Sequence, residues 1–253
     1  MPQRVNKAAA LKGFFVTGTD TGVGKTALAA SLALLMIESG IRTAPVKPVQ
    51  TGVSASQPGD LEHCLKLCGL QPSPAELRLM NPYRFPLPAS PHLAAEQAGA
   101  RISLSRIVTA CQKLCKNYQA LVVEGAGGLL VPLTRRTTTL ELARRLGLPL
   151  IIVARAGLGT LNHTLLTLRA AKEAELEVAA VALNHPERAS RGKAEKIIEK
   201  DNREIIAALG KVEVWEALPY IEGAGVKVEA TRRLAGVLAG RGARERIERE
   251  FIS

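Results

Sequence analysis

Aromatic side chains are scarce in this chain. One tryptophan, three tyrosines and four phenylalanines among 253 residues leave no platform on which nucleic-acid bases could stack, and no recognition helix is evident. A core poor in rings must be built from Ala, Leu, Val and Ile, which suits helices packed on a mainly parallel sheet whose strands are buried on both faces. Cysteine is equally sparse: the four residues form two pairs, Cys64/Cys68 and Cys111/Cys115, each with three residues between. On a helix such a pair does not easily bridge itself, and zinc knuckles use Cys-x-x-Cys. These thiols read as small buried hydrophobes, with a disulfide or four-thiolate metal site as the lesser alternative. The four histidines, His63, His92, His163 and His185, fall into no zinc or nucleophile pattern.

Long apolar runs are missing too. The longest, Ala27 to Ile37, is far too short to span a bilayer. Met1 to Lys12 is polar and basic, without the apolar core or small-residue cleavage site of a leader, so the expectation is a cytoplasmic protein with no membrane partner. The net charge of +11 is not concentrated: Lys and Arg are scattered or interleaved with Glu, as in Arg244-Glu245-Arg246-Ile247-Glu248-Arg249-Glu250. That pattern is a solvated, salt-bridged helix face rather than a nucleic-acid arm, and the positive field favours small anions. With 47% apolar residues the chain has enough for one sizeable core. The expected organisation is a single domain over 1–253, with a polar N-terminal extension (1–12) and a basic helical C-terminal segment (224–253).

The chain does possess a phosphate cradle. Gly18-Thr19-Asp20-Thr21-Gly22-Val23-Gly24-Lys25-Thr26 follows a short apolar run, Gly13 to Thr17, and precedes an Ala- and Leu-rich stretch with helical spacing that ends at Gly40. A strand feeding a helix through such a loop aims successive backbone N–H groups, here of Gly22 to Ala27, at phosphates. Lys25 then reaches the β- and γ-oxygens and the Thr26 hydroxyl ligates Mg²⁺. The usual spacing puts the first glycine at position 19, where Thr19 stands, with Gly18 one residue earlier.

Strand and helix patterns then alternate. Arg42 to Pro48 reads as a strand, Asp60 to Gly69 as a short helix, and Ser103 to Asn117 as a helix. Strands follow at Ala120 to Glu124, Leu150 to Ala154, Val178 to Asn184 and Val212 to Leu218, with helices at Thr138 to Leu146, Leu161 to Glu175 and Gly192 to Leu209. The passage holding Pro72, Pro74, Pro82, Pro86, Pro88 and Pro91 reads as a stiff irregular excursion, neither strand nor helix. The expected fold is α/β: a single-domain P-loop NTPase-like fold, its mainly parallel sheet flanked by helices on both faces, with ligands beyond the carboxyl ends of the strands.

Distinctive polar residues fall at those ends. Lys47, followed by proline and glycine turns in Pro48-Val49-Gln50-Thr51-Gly52, is placed to neutralise a γ-phosphate. Glu124 tips the apolar strand Leu121-Val122-Val123, where phosphate-loop proteins hold Mg²⁺ with a carboxylate. The glycines of Gly125-Ala126-Gly127-Gly128 let backbone approach a ligand closely. Asp60 reads equally as a metal ligand or as the N-cap of its helix, and Asn184 reads also as a plain turn residue.

The phosphate loop, Lys47 through Gly52, and Glu124 through Gly128 together make the chain similar to the dethiobiotin synthetases. The most specific match is Asn81-Pro82-Tyr83-Arg84-Phe85-Pro86-Leu87-Pro88-Ala89-Ser90-Pro91-His92, which resembles that family's Asn-Pro-Tyr and Ser-Pro-His signatures; matching pieces run in order from Gly13 to about Ile221. The resemblance implies an ATP-dependent ligase of biotin biosynthesis that closes a cyclic urea on 7,8-diaminononanoate with CO₂, using Mg²⁺. It implies Lys25 and Lys47 as catalytic cations, and Thr26, Asp60 and Glu124 as metal ligands. Thr21 and Thr51 would contact the substrate, while Asn184 and Pro219-Tyr220-Ile221 would contact the adenine. Gly159-Thr160-Leu161-Asn162-His163 resembles the loop and helix start that the family donates across a homodimer interface to bind the substrate carboxylate, with Thr160 expected as N-cap; from the residues alone it reads equally as a bare capped helix. Partitioning ATPases share this fold class but carry a lysine five residues before the loop lysine, where this chain has Asp20.

Overall fold

The computed structural model describes residues 11–53, 59–186, 192–222 and 227–251. Residues 1–10, most of the expected N-terminal extension, lie outside the described residues. The chain runs through β1 (Gly13–Gly18), α1 (Lys25–Glu38), β2 (Thr43–Val46), β3 (Val49–Thr51), α2 (Asp60–Leu67), α3 (Pro74–Met80) and β4 (Tyr83–Phe85). It continues through α4 (Pro91–Gln97), α5 (Leu104–Leu114), β5 (Ala120–Gly128), α6 (Thr139–Leu146), β6 (Leu150–Arg155) and α7 (Thr160–Glu173). The last elements are β7 (Val178–Asn184), α8 (Lys193–Gly210), β8 (Val214–Leu218), α9 (Val228–Leu238) and, after a π-helical turn at Ala239–Ala243, α10 (Arg244–Phe251).

Six strands form one parallel sheet in the order β2-β5-β1-β6-β7-β8. Its strands are buried on both faces because alternate residues serve opposite cores. Phe14 and Val16 of β1 pack with Val122, Ile151 and Val153 against α1, α9 and α10, whereas Phe15 packs with Leu121, Val123 and Ile152 against α5, α6 and α7. The α/β expectation of a mainly parallel sheet covered on both sides therefore describes the molecule. Helix α1 is apolar nearly all round, with every residue from Leu28 to Met36 buried, because the sheet covers one side and α9 and α2 the rest. No helix among the described residues is long and apolar enough to cross a membrane.

Three local expectations need correction. The proline-rich passage is ordered: it holds α3, β4 and the start of α4. Pro74 and Pro91 each occupy the first helical position, where the missing N–H has no partner to lose and the ring pre-sets φ. Ser73 caps α3, accepting from Glu76 N at 3.3 Å while Glu76 Oε2 accepts from Ser73 N at 3.0 Å, so Ser-Pro-Ala-Glu was a readable helix start. The strand expected over Arg42 to Pro48 stops at Val46, and Val49–Thr51 instead pairs with Tyr83–Phe85 in a separate two-stranded sheet. The strand expected to end at Glu124 continues to Gly128.

The basic C-terminal segment is part of the packing. Ile247 is buried against the face that also holds α1, and Phe251 meets Phe14 of β1 edge-on at 6.0 Å between ring centroids. Arg246 pairs with Glu177 and with Glu250 at 2.7 Å, and Arg249 reaches Glu213 at 3.2 Å. Glu177 and Glu213 immediately precede β7 and β8, so these pairs staple the helix over the amino ends of the strands. Gly242, at φ +111, makes the kink: a Cβ there would come within 2.7 Å of the buried Trp215 ring.

Candidate active site

The phosphate loop leaves β1 at the point where the chain's neighbours diverge, β5 on one side and β6 on the other. That crevice at the carboxyl ends is where open α/β sheets bind ligands. Gly18 ends the strand, Thr19 N donates to Val153 O at 3.0 Å, and Gly24 starts α1 at φ +100. A Cβ on Gly24 would stand 2.1 Å from Asn184 Nδ2, so only glycine fits. Asn184 itself is not a turn residue: it ends β7, is buried, and donates from Nδ2 to Val23 O at 2.9 Å. It fastens the phosphate loop from β7, two strands away from β1 in the sheet.

Beside the loop lies a buried charge cluster. Lys47 Nζ donates to Glu124 Oε1 at 2.6 Å and lies 3.1 Å from Asp60 Oδ2; the Thr26 hydroxyl donates to the same Glu124 oxygen at 2.9 Å. Lys47 and Glu124 are almost fully buried, with side-chain exposures of 9% and 8%, while Asp60 is 44% exposed. Burial alone would lower the Lys47 pKa, yet the charges and hydrogen bonds of Glu124 and Asp60 outweigh it and the pKa is raised. Lys25 moves the other way: burial and the like charge of Lys47 lower its pKa against the pull of Glu124, and its Nζ donates to Asp20 O at 2.8 Å. Asp60 is the first residue of α2, whose N-cap is Gly59, so its side chain is free to face Lys47 instead of capping. Glu62 holds that helix start, accepting from Gly59 N at 2.8 Å and pairing with Arg84 of β4. The two carboxylates meet at the Lys47 ammonium and the Thr26 hydroxyl bonds Glu124, so the oxygens nearby are hard donors of the kind Mg²⁺ takes.

A single cavity of about 910 Å³ opens over this cluster. It is lined by Thr21, Lys25, Thr26, Lys47, Thr51, Asp60 and Glu124, and also by Ala126, Gly127, Asn184 and the stretch Pro219, Tyr220 and Ile221. Gly22, Gly24 and Ala27 also face it, whereas Val23 is buried behind the loop and Gly125 packs against Phe15 and Thr139. Sequence reasoning missed several walls: Gln50, buried with no hydrogen-bond partner for its Oε1 among the described residues; Pro88 to Pro91; His185; and Leu234 of α9. The Ser-Pro-His signature was the one available pointer to the Pro88–Pro91 wall.

Gly159, Thr160, Leu161 and Asn162 do not line the cavity. Thr160 is not the N-cap as expected. Gly159 is, at φ +90, and Thr160 is turned inward, 4% exposed, with its Oγ1 3.1 Å from Thr164 Oγ1. Its hydroxyl satisfies the helix interior, so the N-terminus of α7 carries no side-chain cap. The cysteine thiols are all free: Cys64, Cys68 and Cys111 are buried and Cys115 is half-buried. The hydrogen bond that protonated Cys64 makes to Cys68, together with burial, pushes Cys64 up, and burial pushes Cys111 up to about 12, which keeps both as inert thiols.

Residues 12–226 match the family described as AAA domain. Relatives named ATP-dependent dethiobiotin synthetase BioD include one from Anaeromyxobacter dehalogenans, 46% identical over 175 residues (69% of this chain, 77% of the relative). Another, from Bacillus cereus, is 39% identical over 220 residues, covering 87% of this chain and 88% of the relative. Among solved structures, a ParA family ATPase from Chlorobium tepidum TLS superposes with a TM-score of 0.54 at 16% identity, covering 94% of this chain and 96% of its own. The MinC:MinD cell division protein complex of Aquifex aeolicus gives 0.53 at 14% identity, covering 93% and 92%; both likenesses speak for the fold alone. With these identities over most of its length, and with the phosphate loop, Lys47, Asp60 and Glu124 gathered at one cavity, the chain belongs to the family of ATP-dependent dethiobiotin synthetases.

Proposed function

We propose that this chain uses ATP to close a cyclic urea on 7,8-diaminononanoate, giving dethiobiotin, ADP and phosphate. The observation that carries the reading is the Lys47–Glu124–Asp60 cluster at the mouth of the phosphate loop, in one cavity with Thr21, Thr51 and Asn184. One amine of the diamine adds to CO₂ and loses a proton to become a carbamate. A carbamate oxygen then attacks the γ-phosphorus as ADP leaves, and the second amine attacks the carbon of the mixed anhydride, expelling phosphate and closing the ring. No group of the protein forms a covalent bond, so its contribution is positioning and charge. Lys25 holds the β- and γ-oxygens. Lys47, kept protonated by its carboxylate neighbours, faces the carbamate and the transferring phosphoryl group. Thr26, Asp60 and Glu124 would hold Mg²⁺, which when bound neutralises charge on the phosphate oxygens. Asn184 and Pro219 to Ile221 form the wall assigned to the adenine, and Thr21 and Thr51 the wall assigned to the diamine.

The site is completed by a second copy of the chain. Gly159 to Asn162 lie outside the cavity, yet α7 begins uncapped and the preceding Leu158 is 92% exposed. An uncapped helix start is an anion site, and in a twofold dimer it would serve the diamine's carboxylate in the partner's cavity.

The test is phosphate release from ATP by the purified protein. Turnover should require the diamine and bicarbonate together. ATP hydrolysis indifferent to both would instead fit a nucleotide-driven switch of the kind that shares this fold.

A further inference from the structure

The turn between β6 and α7 is held by one side chain from another helix. Asn202, on α8 and 4% exposed, donates through Nδ2 to Ala156 O at 3.0 Å and to Gly157 O at 3.2 Å. On the other side of the same turn, Ala156 N donates to Asn184 O at 3.0 Å, and Asn184 Nδ2 bonds Val23 O in the phosphate loop. One turn earlier on α8, Glu199 Oε1 lies 3.0 Å from Nε2 of His185, the neighbour of Asn184. The turn is thus clasped between α8 and the end of β7.

Beyond the clasp the stretch is held by one long backbone bond, from Thr160 N to Gly157 O at 3.4 Å. Gly157, Leu158 and Gly159 are all exposed, Gly159 sits at φ +90, and a Cβ on either glycine would meet nothing within 4 Å. Glycines flanking an exposed residue carry a high entropic cost of ordering. An anion can be met in one orientation only if the peptide groups before the first helical N–H are already fixed.

We propose that Asn202 is a positioning residue: by fixing the turn 156–159 it aims the N–H groups at the start of α7 at the substrate carboxylate in the partner subunit's site. This rests on the shared-site reading above. The residue type follows from the contacts, since one short side chain must supply two donors from a single nitrogen. Alanine would take this donor from Ala156 O and leave Gly157 O with Thr160 N at 3.4 Å, aspartate would set a carboxylate against both carbonyls, and glutamine is one methylene too long for the same gap.

Steady-state kinetics of Asn202→Ala and Asn202→Asp test this. The expected result is a KM for the diamine raised by about tenfold or more, the value lost with one or two buried hydrogen bonds, with the aspartate worse than the alanine. The kcat and the KM for ATP should stay within about twofold of the unmodified protein. Asn202→Ser keeps a single donor and should give the same split at smaller size, so the measurement survives if the alanine variant does not fold. An unchanged diamine KM, or a parallel loss of kcat and of both KM values, overturns the proposal. A second arm separates it from the shared-site reading. Asn202→Ala is mixed with Lys47→Met and allowed to exchange subunits, so that each mixed dimer holds one site with Lys47 from the first chain and an intact turn from the second. Activity with the unmodified diamine KM should appear. If the raised KM of Asn202→Ala persists in confirmed mixed dimers, the turn acts within its own subunit, and the shared site fails together with the role given to Asn202 across the interface.

Discussion

Two lysines meet the nucleotide pocket from different electrostatic settings, and this separates their roles. Lys47 is sheathed by Glu124 and Asp60, which hold its pKa above the ordinary value despite burial, whereas Lys25 is lowered by burial and by Lys47 itself. In the proposed reaction Lys47 acts on charge that develops only during transfer, so Lys47→Met should cost turnover roughly a hundredfold or more while ATP affinity changes little. The same variant should also move a pH limb. With Lys25 holding the phosphates as proposed, ATP binding needs its protonated form, so binding is present below the Lys25 pKa and lost as pH rises through it. Removing Lys47 takes away a like charge and frees Glu124 to attract Lys25, and both changes raise the Lys25 pKa. Titrations of ATP binding across the alkaline range should show the loss shifted to higher pH in Lys47→Met; a limb that stays put or moves down would refute the coupling.

Elements explain why the site is rigid where it must be. The start of α2 presents Asp60 because Glu62 ties Gly59 N and Arg84 together, and α1 is gripped on every side by the sheet, α9 and α2. The C-terminal helix, which by charge alone resembled a solvated appendage, closes the opposite end of the sheet. Its value lies chiefly in Ile247 and Phe251, and the more exposed Arg249–Glu213 pair adds little. Ile247→Ala should destabilise the protein by about 2–5 kcal/mol, the usual range for emptying a buried aliphatic position. Arg244→Ala, an exposed residue of the same helix, should stay within about 0.5 kcal/mol. Denaturant unfolding would compare the two, and equal midpoints would mean that α10 is not part of the cooperative unit.

At the scale of the whole molecule, part of the basic excess within the net charge of +11 pairs with Glu177 and Glu213 at strand ends, and the proposed completion of the site by a second copy is open to a direct test. Asn162, exposed in the first turn of α7, suits a charge-reversal test better than the inward-facing Thr160, because glutamate is tolerated at a helix start. Asn162→Glu would repel the diamine's carboxylate without touching the ATP site of its own chain. Alone, it and Lys47→Met should each be nearly inactive. After subunit exchange about half of the dimers are mixed, each with one intact site, so roughly a quarter of the unmodified activity should return for random pairing into closed dimers. No recovery after confirmed exchange would exclude a shared site.

Much of this could be read from the residues in order, because it depends on local chemistry. The glycines and Lys25-Thr26 between a strand and a helix specify a phosphate cradle, and short apolar runs alternating with helical spacing specify the order of elements. Apolar runs ending in Lys47, Glu124 and Asn184 specify which groups reach the carboxyl edge of the sheet. The proline-rich passage misled because ring density was weighed over position, although Ser73-Pro74-Ala75-Glu76 held a local helix signal. Tertiary structure alone decided the partnerships: Lys47 with Glu124 across 77 residues, Asn184 with Val23 across 161, Asn202 with Ala156 across 46, and Leu234 and Pro88 brought to the same cavity wall. A single sequence records what each residue is able to donate, accept or bury. Which distant groups satisfy one another is set only when the sheet orders its strands, since hydrogen bonds and ion pairs act over a few ångströms and the chain distances between these partners carry no trace of them.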